Sequence, residues 1–140
     1  MVDILRDTFS DAQREVTSTL DMIIRLTNQK QVGELEKMHL YGPKFTKFDD
    51  FDPLDRQDAD VCRKAESDMI NMCSEINFSY TDLKVDVFDR VAITTFVLNE
   101  EAKVDGTMLA VRARSTMVFV HDGTGWKIAH EHFSPFKSNP

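Results

Sequence analysis

The chain has 140 residues, 41% hydrophobic and 29% charged, a composition typical of a globular protein with one hydrophobic core. Its 24 acidic and 17 basic residues give a formal net charge of −7, which disfavours nucleic acid or an anionic membrane as a partner. No run approaches the roughly 20 apolar residues that span a bilayer, and the N-terminal residues lack an apolar secretion core, so we expect a cytoplasmic protein with one domain over residues 1–140.

The first third of the chain predicts two helices. Residues 2–28 carry apolar side chains at spacings of three and four, which places them on one face of an α-helix. A short second helix is predicted over residues 31–38. It ends before Gly42 and Pro43, since both residue types stop helices.

The middle of the chain predicts a short strand, an acidic loop and a third helix. Residues 44–48 alternate in polarity, residues 49–55 are rich in aspartate, and residues 58–76 return to helical spacing. Cys62 and Cys73 both fall in this helix, roughly 16 Å apart at 1.5 Å per residue. A disulfide needs Cα atoms within about 7 Å, so we expect two reduced thiols.

From residue 78 the apolar period changes to two, which is typical of β-strands. Strands are predicted over residues 80–88, 90–98, 107–121 and 126–134. The last two are joined by Asp122-Gly123-Thr124-Gly125, a strong hairpin signal. Helices followed by an antiparallel meander indicate an α+β fold.

The last two strands carry most of the candidate functional residues. Arg114 and Thr116 share one face with Trp126, His130 and His132, and we expect that face to point into the hollow of the sheet. Neither face of these strands is plainly polar. Because helices can cover only one face, we expect the other to meet a second copy, giving a homodimer or larger homo-oligomer.

Two motifs carry a resemblance to a known superfamily. The longer one runs Arg114-x-Thr116-x-Val118, a glycine hairpin, then Trp126-x-Ile128-x-His130-x-His132-x-Ser134. It resembles the closing strands of the nuclear-transport-factor-2-like superfamily, most closely its SnoaL-like branch and the association (hub) domain of calcium/calmodulin-dependent protein kinase II. Pro43-x-x-Thr46-x-Phe48-Asp49 is similar to the short strand of that hub.

The resemblance implies a cone-shaped, cystatin-like fold. In it a curved antiparallel sheet wraps around a long N-terminal helix, with a pocket at one end. The superfamily contains ketosteroid isomerases, polyketide cyclases and dehydratases as well as non-catalytic assembly domains, so the fold alone does not select a function.

Asp49 is the first candidate for catalysis. The resemblance to ketosteroid isomerases puts their aspartate base at this place, and an apolar pocket raises the pKa of a carboxyl group toward the range useful for proton transfer. The alternative is a solvated acidic loop, since aspartates are frequent over residues 49–55. Those isomerases also use a tyrosine from the first helix, which is missing here, so Tyr41 is retained only as a candidate ligand-binding residue.

Arg114 is the candidate anchor for a ligand. A guanidinium inside the cone needs an anionic partner because it keeps its charge. That partner is either an internal carboxylate or a ligand with a carboxylate or carbonyl group. Arg112 has the same parity and could exchange roles with Arg114, while Thr116 and Trp126 complete the predicted ligand-binding set.

His130 and His132 stand two residues apart on one strand, so their side chains are roughly 6–7 Å apart on one face. Three interpretations remain open. They could supply two metal ligands, although no further ligand is evident; one could act with Asp49 in acid–base catalysis; or both could be structural. We select His130 as a catalytic candidate, His132 as a ligand contact, and no metal site.

No phosphate loop, dinucleotide fingerprint or nucleophile triad is present, and no cofactor is predicted. The leading hypothesis is a small-molecule-binding domain, of isomerase, dehydratase or cyclase type, that moves protons on a carbonyl or acidic compound. The alternative is a non-catalytic assembly domain resembling the kinase hub.

Overall fold

The computed structural model describes residues 10–137. The elements follow in the order α1 (Asp11–Asn28), α2 (Val32–Glu36), β1 (Thr46–Phe48), α3 (Ala59–Met72), β2 (Glu75–Phe88), β3 (Val91–Val104), β4 (Thr107–His121) and β5 (Trp126–Pro135). The predicted start of the first helix at residue 2 lies outside the described residues. The other predicted elements are all found, with shifted ends.

The helix ends follow from local hydrogen bonding. α1 begins after Ser10, whose hydroxyl accepts from the Gln13 backbone N–H in a capping box. α3 begins after Asp58, whose carboxylate accepts from the Val61 N–H at 2.9 Å. The prediction that α3 continues to residue 76 is wrong, because the Ser74 N–H donates instead to the Lys103 carbonyl, beside the start of β2.

The strands form one five-stranded sheet in the order β1-β5-β4-β3-β2. β1 pairs with β5 in parallel, and the remaining neighbours are antiparallel. β2 and β3 are longer than the sequence predicts: β2 begins at Glu75 and β3 continues to Val104. The start of β2 was assigned to the preceding helix because Ile76 also fits the helical spacing of that segment. The predicted hairpin between β4 and β5 is confirmed, with Gly123 at a positive φ of 96°.

The core lies between α1 and the inner face of the sheet. Val16, Leu20 and Ile23, on one stripe of α1, are at most 5% exposed. They belong to one apolar cluster with inner-face side chains such as Phe96 and Phe119. The α+β fold is therefore confirmed: a curved, unclosed sheet covered on one face by the N-terminal helix.

The direction of the side chains on β4 differs from the prediction. Ala113, Ser115, Met117 and Phe119 are the buried residues, at 0–4% exposure. Because side chains alternate along a strand, Arg114 and the other even-numbered residues lie on the outer face. The prediction that Arg114 and Thr116 point into the hollow of the sheet is wrong.

A β-bulge in β5 explains why the histidines also face outward. Val118 pairs with His130, but its neighbour Phe119 pairs with Ile128, so Ala129 has no partner on β4. The extra residue exchanges the two faces of β5 from that point on. Trp126 and Ile128 point inward before the bulge, as Glu131 and Phe133 do after it; the prediction of inward-facing His130 and His132 is therefore wrong.

Candidate functional site

An open cavity of about 610 Å³ lies where β3 and β4 run past the end of β5. We call it the end cavity. Asp50 and Phe51, which follow β1, form one wall, and Glu100, Val111 and Arg112 form the wall opposite in the sheet. The volume falls within the range of about 300–1,000 Å³ that is typical of small-molecule sites.

Two carboxyl groups of the end cavity have raised pKa values. Burial, together with the charges of Asp50 and Asp49 and against that of Lys47, raises the pKa of Glu100 to about 7. Burial and the adjacent Asp49 carboxylate raise the pKa of Asp50 to about 6. Oε2 of Glu100 and Oδ1 of Asp50 are buried without a hydrogen-bond partner among residues 10–137, so the hydrogen-bonding capacity of each is unused within the described fold.

The predicted catalytic residue Asp49 lies between this cavity and the interior. Its Oδ1 accepts a hydrogen bond from the Asp50 backbone N–H at 2.8 Å, and its Oδ2 lies 3.5 Å from Lys47 Nζ. Asp49 therefore connects the end cavity to a second group of charges deeper in the fold.

That second group, the internal charge cluster, consists of His39, Lys47, Glu66 and Glu131. His39 Nε2 lies 3.5 Å from Glu66 Oε2 and 3.7 Å from Glu131 Oε1. Lys47 Nζ lies 3.3 Å from Glu131 Oε2. The four residues come from the segment after α2, from β1, from α3 and from β5, so only the complete fold brings them together.

Opposite charges outweigh burial at three groups of this cluster, whereas at Glu66 burial outweighs the charges of His39 and Lys47 and raises the pKa of the carboxyl. Burial disfavours charge on His39 and on Lys47, but the nearby Glu131 and Glu66 carboxylates raise the pKa of both groups. Burial likewise disfavours charge on Glu131, but Lys47 and His39 lower the pKa of that carboxyl. The cluster is therefore stable as a set of mutually compensating charges.

Tyr41 packs on the internal charge cluster. Its ring stacks on the His39 imidazole, with centroids 4.5 Å apart and planes within 11°, and its hydroxyl lies 3.6 Å from Cys62 Sγ. Burial, followed by the charge of Glu66, raises the pKa of Tyr41. The predicted ligand contact thus lies beside buried polar groups, and it is not among the residues that line the end cavity.

The same region contains atoms that are close enough to bind one metal ion. One ligand atom each from His39, Cys62, Glu66 and Glu131 lies within 4.8 Å of all the others. Cys62 and Glu66 are four residues apart on α3, so they occupy the same face of that helix.

Three of the predicted ligand-binding residues do lie together, but on the outer face of the sheet. Arg114, Thr116 and His132 line a second cavity of about 580 Å³, which we call the outer cavity. The ion pairs found within residues 10–137 do not include Arg114. The roles of Arg114, Thr116 and His132 in ligand binding stay predictions.

His130 and Trp126 have other surroundings. His130 Nδ1 lies 2.8 Å from Thr46 Oγ1, on the opposite face of β1 and β5 from Lys47 and Glu131, so His130 and Asp49 are not paired. Trp126 is 6% exposed and donates from Nε1 to Glu15 Oε2 at 3.3 Å. Trp126 therefore fastens α1 to β5.

Sequence reasoning missed Glu100, His39 and Glu131. Glu100 lies beyond the predicted end of its strand. Alternation places Glu131 on the face opposite to His130 and His132, so the unforeseen bulge hid its inward direction. Only the spacing of Cys62 and Glu66, at i and i+4 of a helix, gave a local signal for the buried cluster.

The model of the SnoaL-like domain matches residues 16–138. None of the curated proteins compared with the chain matches it significantly.

Solved structures with low identity share the fold. A candidate dehydratase of the nuclear-transport-factor-2-like family from Streptomyces avermitilis is 17% identical with a TM-score of 0.83, over 94% of this chain and 100% of that one. A nuclear transport factor 2-like superfamily protein from Salmonella enterica is 18% identical with a TM-score of 0.78, over 94% and 96%. A candidate calcium/calmodulin-dependent kinase II association domain from Exiguobacterium sibiricum is 15% identical with a TM-score of 0.76, over 96% and 100%.

Proposed function

The chain belongs to the SnoaL-like domain family, and from that premise we propose that it is a proton-transfer enzyme, of isomerase or dehydratase type, acting on a small carbonyl compound in the end cavity. Glu100 and Asp50 exchange protons with the substrate, and Asp49 positions Asp50. The observation that carries the proposal is the presence of two carboxyl groups with unpartnered buried oxygens on the walls of one ligand-sized cavity.

The carboxyl groups of this cavity are suited to acid–base chemistry near neutral pH. A general acid or base works best when its pKa lies near the working pH, and the values of about 7 for Glu100 and about 6 for Asp50 meet that condition. The charge of Asp50 raises the pKa of Glu100, so Glu100 holds its proton more tightly when Asp50 is ionised. One group therefore acts as the base and the other as the acid.

The reaction balances without a further reactant. The ionised carboxylate removes a proton from the carbon next to the carbonyl, which gives an enolate. In a β,γ-unsaturated carbonyl compound the enolate is a dienolate, and return of the proton to its γ-carbon completes an isomerisation. In a β-hydroxy carbonyl compound, departure of the β-hydroxyl group, protonated by the neighbouring carboxylic acid, completes a dehydration with release of water.

Arg112 lies at the rim of the end cavity but projects from the other side of the sheet. As an even-numbered residue of β4 it lies on the outer face, where its guanidinium carbon lies 4.4 Å from the centre of the Phe136 ring in a cation–π contact. Glu100 pairs with Val111 and shares the inner face with Phe96 and Leu98. The anchor role of Arg114 or Arg112 therefore stays a prediction, and no part of the proposed proton transfer depends on it.

The proposal is tested by hydrogen exchange on a simple ketone. 2-Tetralone in D₂O, followed by proton NMR, reports removal of the α-proton without a need to know the natural substrate. We expect the wild-type protein to catalyse saturable exchange. Glu100→Gln and Asp50→Asn should each slow this exchange by about 100-fold or more, because a positioned acid or base contributes that much to the rate. Glu75→Gln, an exposed glutamate on β2, is the matched control. Exchange at the buffer rate, or equal rates in all variants, would contradict the proposal.

A second candidate function is assembly through the outer face of the sheet. The exposed side chains Phe88, Val91 and Ile93 lie together there and are 37–39% exposed, beside half-buried Val118 and Val120. We call these five residues the outer patch. A similar structure is described as an association domain, which supports a second copy of this chain as the occupant. Catalysis in the end cavity and self-association on the outer face are compatible.

A further inference from the structure

We propose that His39, Cys62, Glu66 and Glu131 bind one zinc-type transition-metal dication, which ties α3 and β5 to the segment after α2. The site lies inside the fold, apart from the end cavity. It does not depend on the proposed proton-transfer function.

The geometry of the four residues suits tetrahedral coordination. Bonds of about 2.0–2.3 Å place neighbouring ligand atoms about 3.3–3.8 Å apart around a tetrahedral ion. His39 Nε2 already lies 3.5 Å from Glu66 Oε2 and 3.7 Å from Glu131 Oε1. All four ligand atoms lie within 4.8 Å of one another, so small side-chain shifts complete the site.

One buried nitrogen of this group lacks a hydrogen bond. The side chains of His39 and Glu131 are only 1% and 5% exposed. Yet His39 Nε2 has no hydrogen-bond partner in the part of the chain that the structure describes, and Glu131 Oε2 has only its ion pair with Lys47. Buried polar atoms are normally paired, so an unpartnered imidazole nitrogen directed at two carboxylates points to a ligand between them.

Three of the proposed metal ligands contact a further group that orients them, as ligands in metal sites commonly do. The Nδ1–H of His39 donates to the Leu35 carbonyl at 3.0 Å, which leaves Nε2 free to coordinate. Lys47 contacts one oxygen of Glu131 and leaves the other directed at His39. The Tyr41 hydroxyl lies 3.6 Å from the Cys62 sulfur.

The donor set selects the class of metal. One nitrogen, one sulfur and two oxygens suit Zn²⁺ and its cobalt substitute, whereas Ca²⁺ and Mg²⁺ prefer oxygen alone. Zn²⁺ displaces two protons when it binds a thiol and an imidazolium, so the net charge of the cluster is unchanged. Because four protein ligands close the coordination shell, the ion is structural rather than catalytic.

Cobalt binding tests the site directly. The full chain is stripped with a chelator, checked for folding by circular dichroism, and titrated with Co²⁺ while the sulfur-to-cobalt charge-transfer band is recorded. We expect one Co²⁺ per chain, a band showing thiolate ligation, and displacement by Zn²⁺. Cys73→Ser, at the other buried cysteine, is the matched control and should keep the band.

Variants then identify the ligands. Cys62→Ser should lose the band, and Glu131→Gln should weaken binding by more than the roughly 10–100-fold that loss of an outer partner costs. The proposal is overturned if the wild type binds no Co²⁺ saturably or binds it without the band. It is equally overturned if the band survives in Cys62→Ser or disappears in Cys73→Ser. The 2-tetralone exchange of the metal-free protein separates this result from the proposed function.

Discussion

Lys47 Nζ lies 3.3 Å from Glu131 Oε2, and the two side chains are only 10% and 5% exposed. The parallel pairing of β1 with β5 sets Lys47 directly beside Glu131. A buried pair of this kind needs both partners, because removal of one leaves an uncompensated charge out of water.

The first prediction concerns this pair. Lys47→Met should lower the free energy of unfolding by about 3–5 kcal/mol, measured by urea denaturation with a chelator present. Lys47→Met combined with Glu131→Leu should recover part of the loss, because both charges are then removed. Lys64→Met is the control: Lys64 lies 2.6 Å from Asp68, but the two side chains are 79% and 59% exposed, so we expect a change below about 0.5 kcal/mol. Equal costs for the two lysines would refute the argument.

The second prediction concerns stability against pH. The pKa of Glu100 is about 7 in the folded protein and 4.5 ordinarily, so the folded state binds the proton more tightly. The stabilisation is therefore complete below pH 4.5 and is lost as the pH rises through 7. Glu100→Gln should remove this slope and raise the free energy of unfolding at pH 8 relative to wild type by roughly 2 kcal/mol, after a discount for partial exposure.

Asp49, Asp50 and Lys47 also face Glu100, so the slope must be compared within a matched series. Denaturation of wild type, Glu100→Gln and Glu75→Gln at pH 5 and pH 8 provides it. If Glu100→Gln keeps the wild-type slope, the raised pKa belongs to another group.

The third prediction concerns the rate of 2-tetralone exchange. Because the base must be ionised, the rate should rise with pH through the range of about 6 to 7 and then level off. Glu100→Gln should abolish the upper part of this rise, since the group whose pKa is about 7 is then removed. A rate that is flat between pH 5 and pH 8 would count against carboxylate catalysis.

The fourth prediction concerns the oligomeric state. Ile93→Glu puts a charge into the outer patch and should convert a dimer to a monomer, because a buried unpaired carboxylate opposes association. Met72→Glu, on α3 at 61% exposure, is the control and should leave the mass unchanged. Light scattering coupled to size-exclusion chromatography measures both. A wild-type monomer at micromolar concentration would rule out the assembly proposal.

The sequence predicted the fold well because its signals are local. The three-and-four spacing of α1 and the Asp122–Gly125 turn each involve residues within one turn or loop. The chemistry was harder to predict, because it depends on pairing between distant segments. His39 meets Glu131 only through the folding of the segment after α2 against β5, where the Leu40 N–H donates to the Ile128 carbonyl.

Two separate features, the hairpin register and a bulge, caused the wrong prediction of side-chain directions on β4 and β5. Trp126 was aligned by parity with Arg114 and Thr116, but the register pairs Ile128 with Phe119, an inward-facing residue. The second error came from Ala129, which has no glycine or proline neighbour to announce a bulge. Alternation alone cannot locate an inserted residue when both faces of a strand carry apolar groups.

Ala129 also allows one strand to serve two chemically different ends of the hollow. Before Ala129, β5 contributes Trp126 and Ile128 to the apolar core. After it, the same strand contributes the Glu131 carboxylate to the internal charge cluster. Deletion of Ala129 would exchange the two faces of β5 beyond that position. His130 and His132 would then point into the hollow of the sheet, and Glu131 would point outward, away from Lys47.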